Sequence, residues 1–153
     1  MEGFNQFSPK RIILDRNLEI NLKSYIAKTI KNENTIIFHN SNDKSKIKLL
    51  KKRGTILIRQ STDKHKNLDL KKILKDLYKM EIRNLLVEGG DILTKNFIQK
   101  KLFNEFYVFR SSKNLSKNKK HVNFTSFSIL NTKYNKHKIN SKLATDKLTI
   151  YKN

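Results

Sequence analysis

Short runs of β-branched and aromatic residues alternate along this chain with segments whose apolar residues fall at helical spacing, and no other feature constrains the fold as tightly. The strand candidates are RIILD (11–15), TIIFHN (35–40), TILIRQ (55–60), NLLVE (84–88), EFYVFR (105–110) and KLTIYK (147–152). Each is strand-length and rich in side chains that pack on a pleated surface. Between them, Leu70, Ile73, Leu74 and Leu77 recur as one buried helical stripe would require, and Leu93, Phe97 and Ile98 do the same. Residues 22–30 and 44–52 are further helical candidates. Strand and helix in alternation imply crossover connections and hence a largely parallel, doubly wound sheet. The expected fold is a three-layer α/β domain with helices on both faces, with FSILN (127–131) and LTIYK adding an antiparallel edge. A chain of 153 residues can build one core without needing a second, so a single domain over 1–153 is expected.

Glycine is scarce, four residues in all, yet two stand side by side in LLVEGGDIL (85–93). A buried strand is expected to end at Glu88, turn through Gly89 and Gly90, and enter a helix with Asp91 as its N-cap. In open α/β sheets ligands sit beyond the carboxyl ends of strands, and a helix start offers free N–H groups and a favourable dipole to a phosphate. Residues without side chains would let that phosphate come close. From these residues alone, a tight turn with close strand–helix packing is the commoner reading of such a pair. Glu88, beside an anion site, would be repelled from it and would face a donor-rich ligand; the alternative is a solvated surface carboxylate. In SPKRIILDRNLEI (8–20) a strand runs into Asp15, Arg16 and Asn17. These are either ordinary turn residues or the setting for a guanidinium that holds a phosphate, such as the 2′-phosphate that distinguishes NADPH from NADH.

The formal charge of +21 invites a nucleic-acid reading. The basic residues are spread along the chain, however, and EFYVFR lacks the glycines of an RNA-recognition strand, so nucleic acid is not the expected partner. The run KNLSKNKK (113–120) reads as a solvated loop, with an anion-binding loop as the sharper alternative. Cysteine is absent, and the four histidines, His39, His65, His121 and His137, show no metal-ligand spacing, so no metal site is expected. No apolar stretch has bilayer length, and the start MEGFNQFSPKR lacks the order of a signal peptide; a cytoplasmic protein without membrane contact is expected.

Taken together, PKRIILDRNLEI (9–20) and LDLKKILKDLYKMEIRNLLVEGGDILTKNFIQKKLFNEFYVF (68–109) resemble the reductase domain of the bifunctional riboflavin-biosynthesis deaminase/reductase proteins. The likeness runs over about 9–110, and VEGG followed by a helix is its most specific mark. It implies a dihydrofolate-reductase-like fold and NADPH-dependent reduction of 5-amino-6-(5-phosphoribosylamino)uracil to the ribitylamino compound, with hydride delivered to C1′ of the opened ribosyl group. By the same resemblance Glu88 contacts this phosphorylated pyrimidine. Gly89 and Gly90, followed by Asp91, Ile92, Leu93, Thr94, Lys95 and Asn96, line the NADPH site chiefly through backbone groups. Arg16 falls near the adenosine phosphate, where relatives often carry a small hydroxyl residue. No catalytic acid or base is implied, and a homodimer through the reductase domain is compatible with the resemblance.

The sequence departs from the family pattern in three ways. The zinc deaminase ligands H-x-E and P-C-x-x-C cannot be present without cysteine. The family's reductase domain begins upstream of the counterpart of SPKRIILD with a central strand and helix, so this sequence is expected to be its C-terminal part, without appreciable turnover alone. SSKNLSKNKK (111–120) stands where relatives often have Pro- and Gly-rich sequence. Two other readings stay open: a catalytically inactive nucleotide-binding regulatory domain, and a basic nucleic-acid-binding protein.

Overall fold

The structure, a computed structural model, describes residues 9–31, 33–112, 124, 126–139 and 145–153. The loop expected at 113–120 and the start of the chain, 1–8, lie outside the described residues. The chain divides into two compact units, Met1–Arg83 and Asn84–Asn153.

In chain order the first unit comprises β1 (Arg11–Leu14), α1 (Tyr25–Lys28), β2 (Thr35–His39), α2 (Lys44–Lys52), β3 (Thr55–Arg59) and α3 (Leu70–Lys79). The strands form a parallel sheet in the order β1-β2-β3, with Arg11 opposite Thr35 and Thr35 opposite Thr55. The central strand is paired on both edges, and its five residues are all buried. This is why TIIFH reads as a continuous apolar run without alternation. Leu18, Ala27, Ile30, Ile37 and Leu50 make a core against which Ile13, Ile20, Leu22, Ile47 and Leu57 pack. The helices start where short polar side chains cap them: Ser24 accepts from the Ala27 N–H, Asp43 from Lys46, and Asp69 from Lys71 and Lys72. Gly54, at φ 83°, makes the left-handed turn that joins α2 to β3. The alternation of strand and helix seen in the sequence is thus present here as a parallel sheet with its crossover helices.

The second unit comprises α4 (Asp91–Gln99), β4 (Glu105–Arg110), α5 (Phe127–Lys133), β5 (Asn135–Ile139) and β6 (Lys147–Lys152), and its strands form an antiparallel sheet in the order β4-β6-β5. Phe106 and Val108 on β4 turn toward the core of Ile98, Leu130, Tyr134 and Tyr151, whereas Tyr107 and Phe109 are exposed on the other face. The buried Tyr134 hydroxyl donates to the Ile98 carbonyl at 2.6 Å, which ties α5 to α4.

Two expectations fail here. FSILN is not a strand but the body of α5, in which Leu130 is fully buried; Tyr134, the C-cap just past the helix, is extended. A short apolar run of that kind fits either period. NLLVE forms no strand; residues 84–88 join no ladder among the described strands, and Leu85, Leu86 and Val87 are 38%, 82% and 38% exposed. An apolar run becomes a strand only where another backbone offers it hydrogen bonds.

Candidate functional site

Helix α4 begins one residue earlier than the sequence suggests. Gly90 is the N-cap, and Asp91 is the first helical residue, placing its carboxylate in the first turn but not in the capping position. Neither glycine of the pair takes a positive φ; Gly90 sits at φ −69° and ψ 174°, which any residue adopts. Their roles are therefore steric, and they differ. A Cβ on Gly89 would lie 2.7 Å from Leu93 Cδ2 and 3.1 Å from Leu93 Cβ, so a side chain there would have to displace Leu93. A Cβ on Gly90 would meet nothing within 4 Å. Packing thus accounts for Gly89, while at Gly90 the turn opens onto free space.

The first intrahelical bond of α4 runs from the Thr94 N–H to the Gly90 carbonyl at 3.1 Å. The N–H groups of Asp91, Ile92 and Leu93 accordingly have no carbonyl four residues back within the helix, and they share the positive end of its dipole. The side chains of this turn are mostly occupied or displayed: Thr94 Oγ1 donates to the Gly89 carbonyl, Asn96 Nδ2 donates to the Ile92 carbonyl at 2.9 Å, and Ile92 and Lys95 are exposed. Glu88, just before the pair, is exposed and has no hydrogen bond or ion pair among the described residues. A turn of this kind can present backbone donors to an anion, with a free carboxylate beside it for a ligand that donates.

Arg16 belongs to the first unit and stands just past β1, as expected. Its Nε donates to Asn17 Oδ1 at 3.1 Å and its Nη1 to the Lys66 carbonyl. The loop beneath it is fixed by Asp15, whose two carboxylate oxygens accept from the Glu19 and Ile20 N–H groups at 2.8 and 2.7 Å. Further polar residues, not anticipated from the sequence, line the carboxyl ends of β2 and β3. The Asn40 N–H donates to the Arg16 carbonyl at 2.8 Å, its Nδ2 donates to the Gln60 carbonyl, and Gln60 Nε2 donates to the Asp76 carboxylate. The readable signal was a polar residue directly after each apolar run, HN after TIIF and RQ after TILI, at the strand ends where open sheets bind ligands.

His39 is 4% exposed and its Nδ1 has no hydrogen-bond partner. Burial, reinforced by the Arg59 charge, holds its pKa below the ordinary histidine value, so it is neutral near pH 7. Among the described residues no cluster of three or more potential metal ligands occurs, and no helix is long and apolar enough to cross a membrane.

Comparison with known proteins gives concordant matches. The family model described as the RibD C-terminal domain matches residues 1–142. The riboflavin biosynthesis protein RibD of Aquifex aeolicus is 35% identical over 106 residues, which is 69% of this chain and 28% of that protein. A solved structure of Acinetobacter baumannii RibD superposes with a TM-score of 0.67 at 20% identity, covering 94% of this chain and 37% of that one. A pyrimidine reductase-like protein from Corynebacterium diphtheriae gives a TM-score of 0.64 at 14% identity, covering 94% and 60%. The chain therefore spans 28% and 37% of these two RibD proteins.

Proposed function

The chain belongs to the RibD C-terminal domain family, and from that premise we propose that it serves the NADPH-dependent reduction of 5-amino-6-(5-phosphoribosylamino)uracil to the ribitylamino product in riboflavin biosynthesis, in the cytoplasm. The observation that carries the reading is the turn at Gly90. The space over this residue, empty to 4 Å, adjoins the first-turn N–H groups of α4, and that combination suits a cofactor phosphate. NADPH would supply the hydride that adds to C1′ of the opened ribosyl group, while the adjacent nitrogen gains a proton.

The chain's own residues divide the remaining work. The backbone from Gly89 to Asn96 holds the cofactor phosphates. Glu88 is repelled by those phosphates and takes the amino or hydroxyl donors of the pyrimidine substrate. No general base is assigned, because hydride transfer to a carbon already held as an imine depends mainly on orientation and a dry site. The finer architecture, a single domain with a three-layer, dihydrofolate-reductase-like sheet, belongs to the same proposal. Association of two copies through this domain is compatible with it.

The test is a fluorescence titration with NADPH, followed by an assay of NADPH oxidation with the pyrimidine substrate in the presence of an upstream reductase segment. Saturable binding by the chain, and oxidation that requires the substrate, are expected. A folded chain that binds no NADPH would contradict the reading.

A further inference from the structure

The antiparallel sheet of the second unit treats its two ends differently. At one end Glu105 stands opposite Lys152, and the two form an ion pair at 3.0 Å. At the other end Arg110 stands opposite Lys147, two cations in the same cross-strand relation. Like charges directly opposite each other destabilise a sheet. Lysines on an edge strand are commonly a device against edge-to-edge aggregation, and Lys136 and Lys138 on β5 fit that description. It does not extend to Lys147, which is on the central strand β6.

These four cations line one half-open groove of about 690 Å³ between the sheet face and α5. Asp146 is the single carboxylate among its lining residues. No ion pair joins Lys136, Lys138 or Lys147 to a carboxylate among the described residues. Arg110 is steadied over the Phe127 ring at 5.1 Å, so one cation is held in place within the groove. The volume is that of a small-molecule site, and the groove shares no residue with the turn at Gly90.

We infer that this groove binds a multiply phosphorylated small molecule, whose charges offset the cross-strand repulsion of Arg110 and Lys147 and engage Lys136 and Lys138 from the side. The inference is independent of the reductase assignment. Arginine and lysine donate charge-assisted hydrogen bonds to phosphate oxygens, and a ligand with two or more phosphates is the one that uses cations spread over several strands.

The experiment uses sodium tripolyphosphate as the probe, titrated calorimetrically into the full chain at constant ionic strength. Saturable binding of one probe per chain is expected. The double variant Lys138→Gln/Lys147→Gln should weaken it by about tenfold or more, since losing even one charge-assisted bond is a change of that order. A control with two exposed helical lysines removed, Lys71→Gln/Lys75→Gln, should bind as the parent does. Circular dichroism verifies that each variant is folded, and Lys138→Gln alone serves if the double variant is not. Equal losses in the two double variants, or binding that never saturates, would reduce the groove to general surface charge and overturn the inference. Tighter binding of a single-stranded RNA oligomer than of tripolyphosphate, dependent on the same lysines, would overturn the small-molecule assignment in favour of nucleic acid.

Discussion

TIIFH and NLLVE look alike as sequence, and the structure treats them in opposite ways. The first is β2, paired on both edges and buried at every residue. The second leads into the glycine turn without a ladder partner, and Leu86 at its centre is 82% exposed. A fully buried side chain of this kind contributes about 1.5–3 kcal/mol, so Leu86 has stabilisation left to gain from association. Apolar sequence states a demand for burial, and only a neighbouring backbone meets it. The same contrast separates a scaffold, closed within the first unit, from a segment left open immediately before a turn suited to binding.

The largest test of this contrast is a pair of truncations. Phe38→Ala, in the centre of β2, should lower stability by about 3–5 kcal/mol in denaturant unfolding, as loss of a buried aromatic side chain does. Leu86→Ala should change the same measurement by no more than about 0.5 kcal/mol. A large loss at Leu86 would mean that 84–88 is packed after all.

If 84–88 matters for ligands rather than stability, Glu88→Gln should leave unfolding and NADPH affinity nearly unchanged while impairing substrate use. Losing a charged hydrogen bond is worth about 1.5–3 kcal/mol, roughly ten- to a hundred-fold in kcat/KM. Normal turnover with poor NADPH binding would reverse the assignment.

The smallest predicted effect concerns pH. Because the folded-state pKa of His39 is lowered by burial, the unfolded chain binds more protons than the folded one between that value and about 6.5. Stability from this site is therefore complete above about pH 6.5 and falls as the pH drops through 6.5 toward the lowered value. Unfolding temperatures measured across this range should decline less in His39→Leu than in the parent. Parallel declines would show that His39 does not govern the acid response of β2.

Much of the fold was legible because local signals agreed. Lys44–Lys52 and Glu105–Arg110 have the bounds their patterns suggest, and each parallel strand stops one residue short of the segment expected for it. What escaped the sequence depends on partners. β5, NKHKI, is an exposed edge strand with little apolar alternation to reveal it. FSILN became a helix whose Leu130 is buried in the core of the second unit, with Ile129 packed against it. The location of the turn was readable from the adjacent glycines, but not the division between them. Only the position of Leu93 shows that a side chain at Gly89 would be crowded, and only the structure shows that the space beyond Gly90 is empty.

That division gives the most direct measurement: NADPH affinity, read by fluorescence beside thermal unfolding, for Gly90→Val and Gly89→Ala. The account predicts that Gly90→Val keeps close to the parent's unfolding temperature and loses NADPH affinity, because its branched side chain fills the open space over the turn. Gly89→Ala is predicted to lose stability, since its Cβ would press on Leu93. A folded Gly90→Val chain that binds NADPH as tightly as the parent would contradict the claim that this turn receives the cofactor.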